Sequence, residues 1–449
     1  MLPKSLKYGN KTEASMARSY TSNIQPNGAL NGYTAGTVCT INIPTGPNLA
    51  LIAAESVLKF TVNTSGTGAG RLDSAGAHGY IQRVRIFHGS NLLEDTDSYG
   101  LVVKEYLDLQ VSTDATYGKY SILAGTRADQ YVTMNNATEL SKGGIAKCVN
   151  SGRKVEPDVN GVGITYCITL LSILGSLCSN NYFPLFACTS APIRLEIQWA
   201  NSIYSVGAFP STMTGFTINN IEYIASYIAL SSEAMSIIMS SQNGPLSFTL
   251  QGLRNYNTTA NLAGGGSSTQ INFNIPAKFA SVKSLIASIR DSDMGVNKAM
   301  FFPFGSNVNG LKSYNFKIGS HSSIPSIAPS TIPQYFTEVL KAVGSISDLN
   351  HHPSIDIDSY SQELASIETS ESLLYGSKNS GCFYVGLDLE NYAESDKSTI
   401  YTGYNTKNDD IYLQMNFVLT TAITSARFDS FVMFDQELIF ENGTCYVSF

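Results

Sequence analysis

Few side chains in this sequence are spaced for chemistry. His351, His352, Asp356 and Asp358 form the one cluster whose residue types suit a metal, because three or four imidazole and carboxylate ligands converging on a point are what a bound cation takes. A loop or edge strand with a solvated acidic face accounts for the same four residues, and no metal is assigned to them. Asp291-Ser292-Asp293-Met294-Gly295 has the acidic alternation of a calcium loop. Its glycine falls one place early and no Glu stands at the twelfth position, so it reads as a turn. Gly264-Gly265-Gly266 lacks the Gly-Lys-Thr and the helix that complete a phosphate cradle, and it reads as a flexible loop. His78 and His88 lie at either side of one strand with no carboxylate or Cys in step with them. No G-x-S-x-G elbow, H-E-x-x-H pair or Walker loop occurs. The expectation is therefore a protein that is not an enzyme, with no catalytic, cofactor-binding or metal residues and no cofactor.

Composition narrows the classes further. The chain has 449 residues, of which only 14% are charged, and Lys+Arg 28 against Asp+Glu 35 leaves a formal net charge of −7. An average soluble domain carries roughly 25% charge. With 43% hydrophobic residues, disorder is excluded. An acidic balance without a basic run also excludes phosphate-driven or sequence-specific nucleic acid binding. Ser, Thr, Asn, Gly and 25 Tyr replace the missing charge. Such a surface wets well but repels its own copies weakly, which suits a self-associating protein or an extracellular β-protein. The length suits two or three domains.

The seven cysteines (Cys39, Cys148, Cys167, Cys178, Cys188, Cys382, Cys445) include no C-x-x-C pair and sit mostly in apolar runs, as buried free thiols do. No apolar signal region is expected in the first thirty residues. The longest apolar stretch, Ile164 to Cys178, is shorter than the about 20 residues a spanning helix needs. The sequons at Asn10, Asn63, Asn136, Asn257 and Asn442 are expected to be silent.

Short alternating apolar runs separated by Gly, Asn, Ser and Thr predict an all-β chain. Candidate strands include Val38 to Ile43, Leu51 to Val62, Tyr80 to Phe87, Gly163 to Leu171, Ile193 to Trp199, Phe216 to Ile228, Leu246 to Leu250, Cys382 to Leu389, Ile411 to Leu419 and Arg427 to Phe434. Helical spacing predicts helices over Asp97 to Gln110, capped by Asp97, over Pro333 to Val343, and over Ser232 to Met239. The two longer helices expose a duplication. A strand ending Phe87-His88-Gly89-Ser90 and another ending Lys317-Ile318-Gly319-Ser320 each precede one of these helices. A long loop then leads to strands centred near Cys167 or Tyr384, Leu195 or Leu413, and Tyr223 or Val432. The fold expected is all-β: two consecutive eight-stranded jelly-roll sandwiches with short helices in loops. The expected divisions are an N-terminal arm (1–30), a first jelly roll (31–235) and a second (236–449), with the junction near Ser231 to Gly244.

Three stretches resemble the double jelly-roll major capsid proteins of the adenovirus-hexon lineage, in particular those of virophages and polinton-like viruses. The first is His78-Gly79-Tyr80-Ile81-Gln82-Arg83-Val84-Arg85-Ile86-Phe87-His88-Gly89-Ser90 with Leu92-Leu93-Glu94-Asp95 and Tyr99. The second is Ile173-Leu174-Gly175 with Tyr182-Phe183-Pro184-Leu185 and Pro192-Ile193-Arg194-Leu195-Glu196-Ile197. The third is Tyr314-Asn315-Phe316-Lys317-Ile318-Gly319-Ser320 with Ile324-Pro325 and the helix from Pro333 to Lys341. The resemblance implies a homotrimeric, pseudo-hexameric capsomer tiling an icosahedral DNA virus shell, located in the virion. It implies neighbouring capsomers, penton and minor capsid proteins and an internal membrane as partners. It also implies loops at Arg71 to His78 and Asn255 to Gln270, and outward insertions at Val111 to Val162 and Ser345 to Gly381. The locally basic arm (Lys4, Lys7, Lys11, Arg18 against Glu13) would face the inside of the shell or fray. The rivals are a carbohydrate-binding or carbohydrate-cleaving β-protein, which needs exposed Trp platforms or paired carboxylates, and a minor or penton capsid protein, which usually has one jelly roll. The lone Trp199, on a strand expected to be buried, speaks against the former.

Overall fold

A computed structural model describes residues 17–126, 131–133, 145–147, 151–158, 161–241, 245–291, 302–319, 321–346, 353, 355, 357–361, 381–390 and 402–449. Eight principal strands, with several short ones beside them, build the first sandwich: β1 (Ala17–Ile24), β2 (Val38–Ile43), β3 (Val57–Gly66), β4 (Ile81–His88), β5 (Asn91–Asp97), β6 (Ile164–Ile168), β7 (Ile193–Trp199) and β8 (Met213–Leu230). Eight more form the second: β9 (Leu246–Leu262), β10 (Ser268–Ile275), β11 (Val282–Asp291), β12 (Leu311–Ile318), β13 (His321–Ile324), β14 (Tyr384–Asp388), β15 (Ile411–Val418) and β16 (Ile423–Glu441), followed by a short closing strand β17 (Thr444–Ser448). The three main helices are α1 (Tyr99–Gln110), α2 (Ser232–Ser241) and α3 (Ile332–Val343).

The first half stacks the sheet β1-β8-β3-β6 on the sheet β2-β7-β4-β5, and the second stacks β9-β16-β11-β14 on β10-β15-β12-β13. Each order is the other shifted by eight. Within a half, first pairs with last, second with seventh, third with sixth and fourth with fifth, which is the nested hairpin of a jelly roll. All these pairings are antiparallel. The all-β fold and the duplicated strand order are therefore as the sequence predicts, and Cys167, Leu195 and Tyr223 occupy the same strands of one sandwich as Tyr384, Leu413 and Val432 of the other.

Alternation explains why these segments become strands. In β7, Ile193, Leu195, Ile197 and Trp199 are fully buried while Arg194, Glu196 and Gln198 face outward. In β15, Ile411, Leu413, Met415 and Phe417 do the same. Each sandwich thus encloses a core of its own, the first completed by Leu438, Phe440 and Cys445 from the second half. Trp199 is packed against Phe60 at a centroid distance of 5.3 Å, so the single Trp is a core residue and no stacking platform.

Several boundaries differ from expectation. The run from Leu51 to Val62 is not one strand. Leu49–Leu51 is followed by a 3-10 turn at Ala53–Glu55, where the Ser56 hydroxyl donates to the Ile52 carbonyl over 2.8 Å, and β3 starts at Val57. Asp97 does not cap α1. It still belongs to β5, opposite Arg83, and Ser98 turns the chain in the left-handed region (φ 52°) without a side-chain cap. The polar β5 was missed because Glu94, Asp95, Thr96 and Asp97 hide a strand that only pairing with β4 reveals.

Two expected loops are corrected. Asn255 to Leu262 continues β9 and is paired with β16 as far as Ile423, with Tyr256, Ala260 and Leu262 turned to the second core and Asn257, Thr259 and Asn261 exposed; the loop is confined to the turn before Ser268, because an alternation made largely of Asn and Thr reads as a loop until β16 pairs with it. Arg71 to His78 is a strand, Gly70–Asp73, followed by a buried 3-10 turn, Gly76–Tyr80. Close approach requires glycine there: at Gly76, with φ +60°, a Cβ would stand 2.3 Å from the Ala124 carbonyl oxygen.

Ala17–Ile24, within the segment expected as an arm, is paired along its length with Leu230 to Tyr223 of β8 and holds the position that β9 holds in the second sandwich. No helix among the described residues is long and apolar enough to cross a membrane.

Candidate functional site

The densest polar constellation lies in the seam between the sandwiches. The sequence of α1, YGLVVKEYLDLQ, is apolar almost all round, and it is buried on both sides. One side joins the first core through Leu101, Val102, Val103 and Leu107. The other lies on the outer face of β9-β16-β11-β14, where Leu109 packs with Ile286, Tyr384 and Met433, beside Val339 and Ala342 of α3. Three charged residues of α1, Lys104, Glu105 and Asp108, are carried into that dry contact, each at most 3% exposed.

Lys104 is paired with Asp108 one turn on, and its ammonium also donates to the Tyr384 hydroxyl and the Cys382 sulfur, both at 3.4 Å. Tyr384 in turn donates to Asp108 over 2.8 Å. Burial by itself lowers the pKa of Lys104, but Asp108, Cys382 and Asp73 outweigh it and the net shift is upward, so the ammonium stays charged. Burial raises Asp73 to about 6, against Lys104 and the backbone N–H groups of Phe304 and Ser74. Phe304, from the second half, donates its N–H to Asp73 over 2.9 Å.

A second group adjoins the first. Asp429 on β16 accepts from Arg290 at 2.8 Å and from Arg427 at 2.9 Å, and Arg427 reaches Ser98 at the start of α1 over 3.2 Å. Burial opposes ionisation of Asp429, yet the two guanidiniums hold its pKa below the usual value. Glu105 is the exception. Neither carboxylate oxygen has a hydrogen-bond partner, and burial, with Asp108 and Asp429 nearby, pushes its pKa well above the ordinary range. It borders a cavity of about 10 Å³ lined by Val102, Tyr106, Leu109, Leu253, Phe431 and Met433, room for about one water.

Below the helix the C-terminal strands complete the seam. Leu438, Phe440 and Cys445 belong to the first sandwich's core, and Phe440 meets Phe183 edge-on at 5.6 Å. His88 Nδ1 accepts from the Cys445 N–H over 3.0 Å, and Asn91 donates to the Cys445 carbonyl over 3.1 Å.

Of the residues singled out by type, His351, His352, Asp356 and Ser292 to Gly295 lie outside the described residues, as does the side chain of Asp358; Asp291 ends β11. Among the described residues no group of three or more His, Cys, Asp or Glu is placed to hold a metal. The Gly265 and Gly266 N–H groups are taken by the Thr420 and Leu419 carbonyls, leaving nothing to cradle a phosphate. His78 is buried against Tyr99, and burial lowers its pKa to about 4. Cys39, Cys178, Cys188, Cys382 and Cys445 are buried free thiols and Cys167 is half-buried, while Cys148 lies outside the described residues. Of the basic arm, Lys4, Lys7 and Lys11 also lie outside them, and Arg18 is exposed on β1. The Asn63 amide donates to Asp158 and its oxygen accepts from Asn219. The seam itself was not foreseen. Its one signal is three charged residues on a helix too apolar to have a solvent face.

Two tandem jelly rolls joined through a charged but dry seam define a double jelly-roll fold. The same fold is found over essentially the whole chain in viral capsids. A chain of the PBCV-1 virus capsid is 11% identical, with a TM-score of 0.62 and coverage of 99% of this chain and 100% of that one. The Faustovirus major capsid protein is 8% identical, with a TM-score of 0.59 and coverage of 97% and 92%. A chain of the Sputnik virophage is 11% identical, with a TM-score of 0.56 and coverage of 100% and 92%. No family model and no curated protein sequence matches the chain.

Proposed function

We propose that this chain is a major capsid protein, located in the virion, that trimerises into pseudo-hexameric capsomers and tiles an icosahedral shell. The observation that carries the reading is the repetition of one eight-stranded sandwich, strand for strand, over the whole length of a chain whose fold matches capsid chains end to end. Its role is structural rather than catalytic, and its mechanism is association. Obligate interfaces above about 2,000 Å² form the capsomer, and several weaker contacts per capsomer add by avidity. Its partners are then two further copies, neighbouring capsomers, and penton and minor capsid proteins. The stretch before β1, including Lys4, Lys7 and Lys11, acts on the inner side, towards those proteins or an internal membrane. Low charge fits this role, since a surface covered by its own copies gains little from repelling them.

Both rival readings lose support: Trp199 is buried, and two sandwiches are present where a penton or minor protein usually has one. Size-exclusion chromatography with light scattering tests the proposal. A species of three chain masses with a six-lobed outline by electron microscopy is expected, and a monomer at every concentration refutes it.

A further inference from the structure

Asn442 and Gly443 turn the end of the chain back on itself. Both have positive φ, 52° and 76°, as a two-residue hairpin turn requires, so β17 runs back along β16 with Thr444 opposite Glu441. The turn is tucked against the segment that leads into β7. There the Ser190 N–H donates to the Gly443 carbonyl over 3.1 Å, and a Cβ on Gly443 would stand 2.9 Å from the Thr189 hydroxyl. Antiparallel order from that bond sets Cys445, two residues on from Gly443, opposite Cys188, two residues back from Ser190.

His88 fixes the same register from the side. Its two ring nitrogens meet the Cys445 N–H at 3.0 Å and the Cys188 carbonyl at 3.4 Å. The two thiols are hydrogen-bonded to each other, fully buried in the first core. Other described cysteines meet groups of another kind: Cys39 meets Tyr33, Cys178 the Asn181 carbonyl and Cys382 the Lys104 ammonium. Facing residues of antiparallel strands hold their Cα atoms about 4.5–5.5 Å apart. A disulfide spans about 4.4–6.8 Å, so this register suits the bond.

We propose that Cys188 and Cys445 are a redox-active pair that closes into a disulfide, fastening the last strand of the chain to the first sandwich. The oxidant is a low-molecular-weight disulfide. One cysteine thiolate attacks it, forming a mixed disulfide and expelling one small thiolate, and the second cysteine then attacks the mixed disulfide and expels the other. Two protein thiols are thereby oxidised to one S–S bond, while the small disulfide is reduced to two thiols that take up the two protons. The hydrogen bond to Cys445 and burial push the Cys188 pKa up and keep its thiol protonated, so exchange waits on the opening of β17. The loop closed contains β7, β8 and the whole second sandwich, and constraining so long a loop in the unfolded chain stabilises the oxidised form. The cross-link lies within one chain and does not depend on association.

The folded full-length chain, incubated in oxidised glutathione, then unfolded in N-ethylmaleimide and digested without reduction, provides the test. Mass spectrometry is expected to find the Cys188 and Cys445 peptides joined, and the urea midpoint of the oxidised chain is expected to rise by roughly 0.5–1 M. Dithiothreitol is expected to reverse both changes, which needs no variant. Cys445→Ser and Cys188→Ala, each made separately, are expected to abolish the response to glutathione. Maleimide on both cysteines after oxidation, or an equal rise of the midpoint in either variant, overturns the assignment.

Discussion

The N–H of Cys445 points at Nδ1 of His88, 3.0 Å away, across 357 residues of sequence. The ring's other nitrogen donates to the Cys188 carbonyl at 3.4 Å. One buried imidazole, accepting at Nδ1, therefore ties the last strand of the chain to β4 of the first sandwich. The chain's end thereby becomes part of the first core.

That role predicts the effect of His88→Ala. The Cys445 N–H is left buried without an acceptor, which costs about 1–3 kcal/mol, plus the packing lost with the ring. Chemical denaturation should show the loss, and hydrogen exchange should show it concentrated in β17. Unchanged protection of β17 would count against the tie.

Lys104 and Asp108 predict a non-additive pair. Lys104→Met strands Asp108 in a dry seam and is expected to cost about 3–5 kcal/mol, whereas replacing both charges by apolar residues is often tolerated. Urea unfolding of Lys104→Met, Asp108→Leu and the double variant should show the double less destabilised than either single. An additive result would mean that the two charges are independently solvated.

Glu105 is expected to be a liability. Its raised pKa means that its proton is bound more tightly folded than unfolded, so the seam is best satisfied at low pH and weakens as the pH rises above the ordinary value of 4.5. Glu105→Met removes the orphan carboxyl and fills the adjoining cavity. Its melting temperature should exceed wild type, by more at pH 8 than at pH 5, and an equal gain at both would show that ionisation of Glu105 is irrelevant.

Glu94 and His78 pull in opposite directions with pH. Burial raises Glu94 to about 7 although it accepts from the Ile173 N–H at 2.8 Å and from Thr96, so its contribution is lost as pH rises from 4.5 towards 7. His78 is lowered to about 4, so its contribution is lost as pH falls from 6.5 towards 4. Stability from these two groups should peak between pH 5 and 6. Glu94→Gln should move the optimum of thermal stability upward, and an unmoved optimum would remove Glu94 from the account.

What the sequence determined by itself was the local pattern and its repetition. Alternation in Ile193-Arg194-Leu195-Glu196-Ile197-Gln198-Trp199 and in Ile411 to Phe417 dictates strands, because a buried pleated face accepts apolar side chains at every second residue. The recurrence of strand, glycine turn and helix around His88 and Ile318 made the duplication legible, because turn chemistry is local too. The sequence was also enough to show that no G-x-S-x-G elbow, H-E-x-x-H pair or Walker loop is present.

Tertiary structure alone decided where unpatterned segments went. The strand β5 carries no alternating signal, and the far half of β9 only a polar one, with Tyr256, Thr258, Ala260 and Leu262 set against Asn257, Thr259 and Asn261; pairing with β4 and β16 decides both, since an unpaired buried backbone is costly whatever its side chains. The seam was likewise invisible: whether Lys104, Glu105 and Asp108 face water or another sheet depends on what the fold lays over α1.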